Sequence, residues 1–115
     1  MAKYNYTTTV TAGSTQSDRL LLNETVPCGL IVTGSVITGS LVTFLVSNDG
    51  TNFYPLYDST STEVSIVVST TPRAYSLNPE AFMGWAYIKG RLGTSGSPKV
   101  QQSYDAEIKL ITDSM

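Results

Sequence analysis

The chain has no histidine, a single cysteine, a single tryptophan and few charges. Asp, Glu, Lys and Arg make up 14% of its 115 residues, against about 25% in an average globular protein. Without histidine, the Ser-His-Asp and Cys-His nucleophile systems are excluded, together with the commonest metal ligand. The one cysteine, Cys28, can neither close an internal disulfide nor build a zinc site. It lies after Pro27 and ahead of an apolar run, so a buried structural thiol is expected. Basic residues number 7 against 9 acids, a net charge of −2, whereas a nucleic-acid module is usually basic. Long apolar runs are missing too. No stretch reaches the roughly 18 apolar residues of a membrane-spanning helix, and the N-terminal MAKYNYTTTV lacks the apolar core of a secretion signal. The expectation is a soluble protein made in a cytoplasm, with no nucleic-acid or membrane partner and no cofactor.

What is abundant is hydroxyl and β-branched side chains. The sequence holds 14 serines, 16 threonines and 7 tyrosines besides many valines, a composition that suits pleated, half-buried surfaces. The length fits one domain that buries about 65% of its unfolded surface. No linker, charge block or fixed repeat divides it. A sparsely charged, Ser/Thr-coated surface suits packing against other proteins.

Helical periodicity is nearly absent, and short β-type runs recur with turn residues between them. Strands are expected at Tyr4–Thr11, Arg19–Glu24, Leu30–Thr33, Leu41–Ser47, Phe53–Tyr57, Glu63–Ser69, Arg73–Leu77, Trp85–Leu92 and Asp105–Thr112. Pro27 and Gly29 are expected to break the second from the third, and the run SVITGS at 35–40 either continues that strand or turns. Asn78, Pro79 and Gly84 mark one helical turn, as cap, first helical position and stop. About eight strands fit a two-sheet antiparallel sandwich, jelly-roll-like, with a closed barrel as the competitor.

Few constellations carry chemistry. VSNDGTNFYPLYDS at 46–59 lacks the D-x-[DN]-x-[DN]-G spacing of a calcium loop. Its Asp49-Gly50 reads as a hairpin turn, because glycine accepts the positive φ such turns need, and Pro55 marks an edge strand or bulge. In WAYIKGRL, alternation puts Trp85, Tyr87, Lys89 and Arg91 on one face. That face either stacks a ligand or partner, or covers core while its cations pair with acids such as Glu107. No pair of acids has the setting of a glycosidase. GTSGSP at 93–98 lacks the lysine of a phosphate loop and reads as a hairpin loop. Residues 1–18 are polar and extended, either the first strand or a docking arm with Tyr4 and Tyr6 as contacts, ahead of a sandwich domain over 19–115.

Three scaffold motifs stand out: S-x-DG-x-x-F over Ser47–Phe53, YSLNPEAFMGW over Tyr75–Trp85, and R-L-GTSG from Arg91. With the run EVSIVV between the first two and DAEIKLI after all three, this pattern resembles small β-sandwich virion proteins of tailed bacteriophages, over roughly residues 30–112. The family pattern assigns no catalytic residue or metal ligand. The resemblance implies a non-enzymatic virion protein, most similar to capsid decoration (cement) proteins. It implies the major capsid protein as partner, self-association into a homo-oligomer such as a trimer, and a place on the capsid surface. A carbohydrate- or receptor-binding sandwich of a tail or fibre is the alternative. Candidate interface residues are Tyr4, Tyr6, Trp85, Tyr87, Lys89 and Arg91.

Overall fold

The computed structural model describes residues 3–32, 41–68, 73–102 and 105–114. The run SVITGS lies outside them. Among the described residues the structure is strand and loop, with one 3-10 turn at Pro79–Phe82.

The first sheet is built from long ladders. β1 (Lys3–Val10) opposes β9 (Ala106–Ser114) over its whole length, from Lys3↔Asp113 to Val10↔Ala106. Alternation explains the match: Ala106, Ile108, Leu110 and Thr112 are buried on one face of β9, and Thr8 and Val10 join them from β1. At the ladder's open end, Lys3 Nζ lies 2.8 Å from Asp113 Oδ1. Of the two roles open to the N-terminal segment, arm or strand, residues 3–10 take the strand, because its apolar face has a partner within the same chain.

β3 (Thr25–Val32) lies on the other side of β9 and corrects the expected break at Pro27 and Gly29. The strand passes through both on a bulge: Pro27 opposes Thr112 and Gly29 opposes Ile111, so Cys28 is the extra residue. A bulge tolerates the missing proline amide. Gly29 permits close approach, since a Cβ there would sit 3.3 Å from Ile111 Cβ. Cys28 is half-buried rather than buried, its thiol 3.5 Å from the Ile111 carbonyl, and burial pushes its pKa up. β7 (Arg73–Ser76) closes this sheet against β3.

The second sheet is more broken. β2 (Leu20–Leu21) pairs with β8 (Tyr87–Leu92), and β8 with β4 (Leu41–Ser47). The far edge of β4 is shared by two fragments, β5 (Tyr54–Pro55) and β6 (Ser65–Val67). Between them the chain leaves the sheet as a small hairpin, bridged at Tyr57↔Glu63. Counting β5 and β6 as one interrupted strand, the order β1-β9-β3-β7 opposite β2-β8-β4-(β5, β6) is that of an eight-stranded jelly roll. The closed-barrel alternative is thereby set aside.

The two inner faces meet in one core that includes Val10, Leu30, Val42, Phe44, Ile88 and Leu110. Phe44 of β4 meets Phe82 of the 3-10 turn edge-to-face, centroids 5.0 Å apart at 87°, a favoured aromatic geometry. That contact seats the turn on the sandwich. The void between Phe44, Ile88 and Ile108 measures about 10 Å³, room for at most one water.

Candidate functional site

The outer face of β8 holds three of the residues singled out in the sequence, and each is already engaged within the chain. The guanidinium of Arg19 lies 5.4 Å from the Tyr87 ring centre. Lys89 Nζ lies 4.5 Å from the Phe53 ring centre. Arg91 is 5% exposed; its Nη2 pairs with Glu63, and its Nε donates to Thr43 Oγ1 at 3.1 Å. Glu63 also accepts from the Ser95 amide at 3.1 Å, and Ser95 Oγ lies 3.0 Å from the Tyr57 hydroxyl. The acid that pairs with Arg91 is thus Glu63 of the β5–β6 excursion. Glu107 opposes Thr9 in the other sheet.

Trp85 precedes β8, which begins at Tyr87, and its half-buried side chain packs against the core cluster. Tyr4 and Tyr6 lie in the first sheet, opposite Thr112 and Leu110 near the open end of edge strand β1. Tyr4 is 42% exposed and Tyr6 is half-buried. The fold therefore puts the two tyrosines in one sheet and the β8 residues in the other.

What it does gather round Trp85 are residues from two loops. One is Ser47–Asn52. Asp49 Oδ1 accepts the amides of Thr51 and Asn52, each at 2.8 Å, and its Oδ2 accepts Asn52 Nδ2 at 2.9 Å. These bonds, that from the Asn52 amide foremost, hold the Asp49 carboxyl far below the usual carboxylate range. Gly50 takes φ +77°, as the turn requires, and a Cβ there would meet the Tyr87 ring at 2.9 Å. Asn48 Oδ1 accepts the amide of Ala86 at 3.1 Å, which ties this loop to the residue after Trp85.

The second loop is the excursion from β5 to β6. Asp58 caps its turn, accepting the Thr60 hydroxyl at 2.6 Å and the amides of Thr60 and Thr62 at 2.9 and 3.1 Å. The Thr60 hydroxyl, first of these, lowers its pKa. Facing the excursion is the 3-10 turn, where Asn78 Oδ1 accepts the Glu80 amide at 3.2 Å and Pro79 opens the turn. Gly84, at φ +93°, then ends it and delivers Trp85.

Two hollows result, and the Trp85 side chain lines both. One of about 310 Å³ lies among Tyr57, Asp58, Glu80 and Met83; the other, about 200 Å³, among Asn48, Asp49, Asn52 and Tyr54. Of these residues the sequence reading placed only Trp85 among the site candidates. The density of aromatics in NFYPLYD was the available signal, but a strand assignment over Phe53–Tyr57 assigned them to core or edge. Leu56 does go into the core, while Tyr54 is 65% exposed.

Among the described residues no three of His, Cys, Asp and Glu stand together as metal ligands, and no helix is long and apolar enough to cross a membrane.

Fold and site together define an antiparallel two-sheet jelly roll whose loop end carries an aromatic-lined groove. The sequence matches no family model and no curated protein sequence. Among solved structures the chain is similar to the SPBc2 prophage-derived protein YomS, at 12% identity and a TM-score of 0.49, over 97% of this chain and 95% of that one. It is also similar to the Yersinia pseudotuberculosis-derived mitogen YPM, at 13% identity and a TM-score of 0.35, over 99% of this chain and 86% of that one.

Proposed function

We propose that the chain is a non-enzymatic structural protein of a bacteriophage virion, a capsid decoration protein that docks on the assembled shell. The observation that carries this reading is the outer edge of β1. All eight residues pair with β9 on one side, and among the described residues β1 is the last strand of its sheet on the other. Long open edges are templates for another chain, and proteins usually blunt them with charges, prolines or bulges. Here the edge sequence KYNYTTTV carries one charge, Lys3, and that side chain turns to Asp113. A strand from a neighbouring subunit, either the major capsid protein or a second copy of this chain, would gain main-chain hydrogen bonds there, with Tyr4 and Tyr6 as side-chain contacts. Such a footprint, spread over two shell subunits, exists only after assembly, which is how a cement acts. Tyr87 and Lys89 make a secondary docking face, whereas a partner would not reach the buried Arg91. The strand motifs of the sequence and the jelly-roll order, common in viral shells, support the same reading.

The test is sedimentation of purified protein with phage shells that lack it, followed by imaging of the particles. The intact chain should co-sediment at fixed stoichiometry. Asn5→Lys with Thr7→Lys, two exposed edge positions, should melt normally and stay in the supernatant. Full decoration by that variant would move the docking face elsewhere. No decoration by the intact chain would end the proposal.

A further inference from the structure

We infer that the groove at Trp85 is a binding site for a neutral saccharide. This does not rest on the capsid reading. It rests on three properties of the groove that together fit one ligand chemistry.

The first is shape. The larger hollow, about 310 Å³, falls at the lower end of the roughly 300–1,000 Å³ of small-molecule pockets. The second hollow, about 200 Å³, has Trp85 in its lining too. Two hollows that share one aromatic residue suit a short chain of sugar units more than a compact ligand.

The second is the lining. Trp85, Tyr54 and Tyr57 offer rings, and Tyr54, 65% exposed, is accessible to a ligand. Beside them Asn48, Asn52 and Asp49 offer amide and carboxylate groups. A sugar ring has an apolar C–H face and a rim of hydroxyls that both donate and accept, so it meets both kinds of lining at once. Asn48 uses its Oδ1 on the Ala86 amide, which leaves its amide NH₂ to donate. Asp49 Oδ2 accepts one bond, from Asn52, and a carboxylate oxygen has room for a second.

The third is charge. Asp49, Asp58 and Glu80 line the hollows, and no lysine or arginine does. Anionic ligands such as nucleotides, phosphates or acidic sugars would meet repulsion with nothing to offset it. An alkyl ligand would leave the polar rim without partners. The groove is also built in advance: Asp49 and Asp58 each hold their loop by several hydrogen bonds, and Trp85 is braced on the core. Little ordering remains to oppose binding.

The chain has one tryptophan, so its emission reports on the groove directly. The protein is titrated with methyl α-glucoside, methyl β-galactoside, N-acetylglucosamine and their β-linked disaccharides, after an array of neutral glycans selects further probes. At least one neutral sugar should change the emission saturably at millimolar concentration. Tyr54→Ala and Asn48→Ala should each weaken binding of that sugar by about tenfold or more, Tyr54→Ala with its melting temperature unchanged. N-acetylneuraminic acid should do nothing. The inference is overturned by a flat response to every neutral sugar, by affinity that survives both substitutions, or by preference for the acidic sugar. It is equally overturned if only phage shells alter the emission, since the groove is then a protein contact. Co-sedimentation of Tyr54→Ala with shells keeps this outcome separate from failure of the β1 docking proposal.

Discussion

Between Lys3 and Val10, β1 faces β9 residue for residue, whereas β5 pairs only Tyr54 and Pro55 with β4 before the chain leaves the sheet. The first region is held by main-chain ladders with core side chains beneath them. The second is held by side chains reaching back to the main chain: Asp49, Asp58 and Asn78 each accept amides from the residues that follow. Ladders need no particular residue except those that pack. Side-chain caps need Asp, Asn, Ser or Thr at one place each. The capped region exposes side chains in a groove, as loops on a rigid scaffold commonly do, and the laddered region gives that scaffold.

The comparison predicts four outcomes. Phe44 joins the regions, belonging to β4 and packing on Phe82. Phe44→Ala should cost about 4 kcal/mol, close to the whole stability of some small domains. In urea, Trp85 emission and far-ultraviolet dichroism should still change together. Separate transitions would mean that the groove end melts independently of the sheets.

Glu63→Ala comes next. It leaves the guanidinium of Arg91 without its acid in a site where the two side chains are 6% and 13% exposed. The expected loss is about 3 kcal/mol, because the uncompensated charge stays buried. Replacing both, Arg91→Met with Glu63→Met, should recover most of it. A double variant no better than the single one would mean that the excursion depends on Glu63 for its bonds to Ser95 rather than for charge balance.

Asn78→Ala removes the cap of the 3-10 turn, at a cost of about 1 kcal/mol. Trp85 emission should shift and the melting temperature should fall by about 4 °C, since the turn presents the indole while Phe82 still anchors it. An unshifted emission would place the control of Trp85 in Gly84 and the core instead.

The smallest effect concerns acid. The Asp49 carboxyl is held below its unfolded value by hydrogen bonds to the ionised form. Its contribution is therefore complete above the ordinary aspartate range, near pH 4, and is lost as pH falls below it. Urea midpoints measured down to about pH 2 should decline on this limb, and Asp49→Asn should make the decline shallower. Carboxyl resonances should show Asp49 still ionised at pH values where an ordinary aspartate has taken up a proton. An ordinary titration for Asp49 would mean that the Ser47–Asn52 loop is open in solution.

Much of the scaffold was legible from residues alone. The β-type runs at Tyr4–Thr11, Leu41–Ser47 and Asp105–Thr112 became β1, β4 and β9; in β9 alternation also fixes the face that is buried, whereas β4 is buried along almost its whole length. Asp49-Gly50 and Asn78-Pro79 marked their turns, because a positive φ and an amide-accepting cap are local demands. The passage of β3 through Pro27 and Gly29 was not legible. A bulge is decided by the partner, here Thr112 and Ile111 of a strand some eighty residues away. The same holds for the groove. Alternation predicts Trp85 beside Lys89 and Arg91, but β8 begins only at Tyr87, and the packing of Trp85 against the core is a tertiary contact. Spacing along the chain says nothing of Asn48 beside Ala86 or of Glu63 beneath Arg91. Local propensity and periodicity are written within a few residues of each other, so the sequence by itself determined strands, turns and the absence of histidine chemistry. Which side chains meet across strands depends on register, bulges and the one broken edge, and those were settled only when the two sheets closed on a common core.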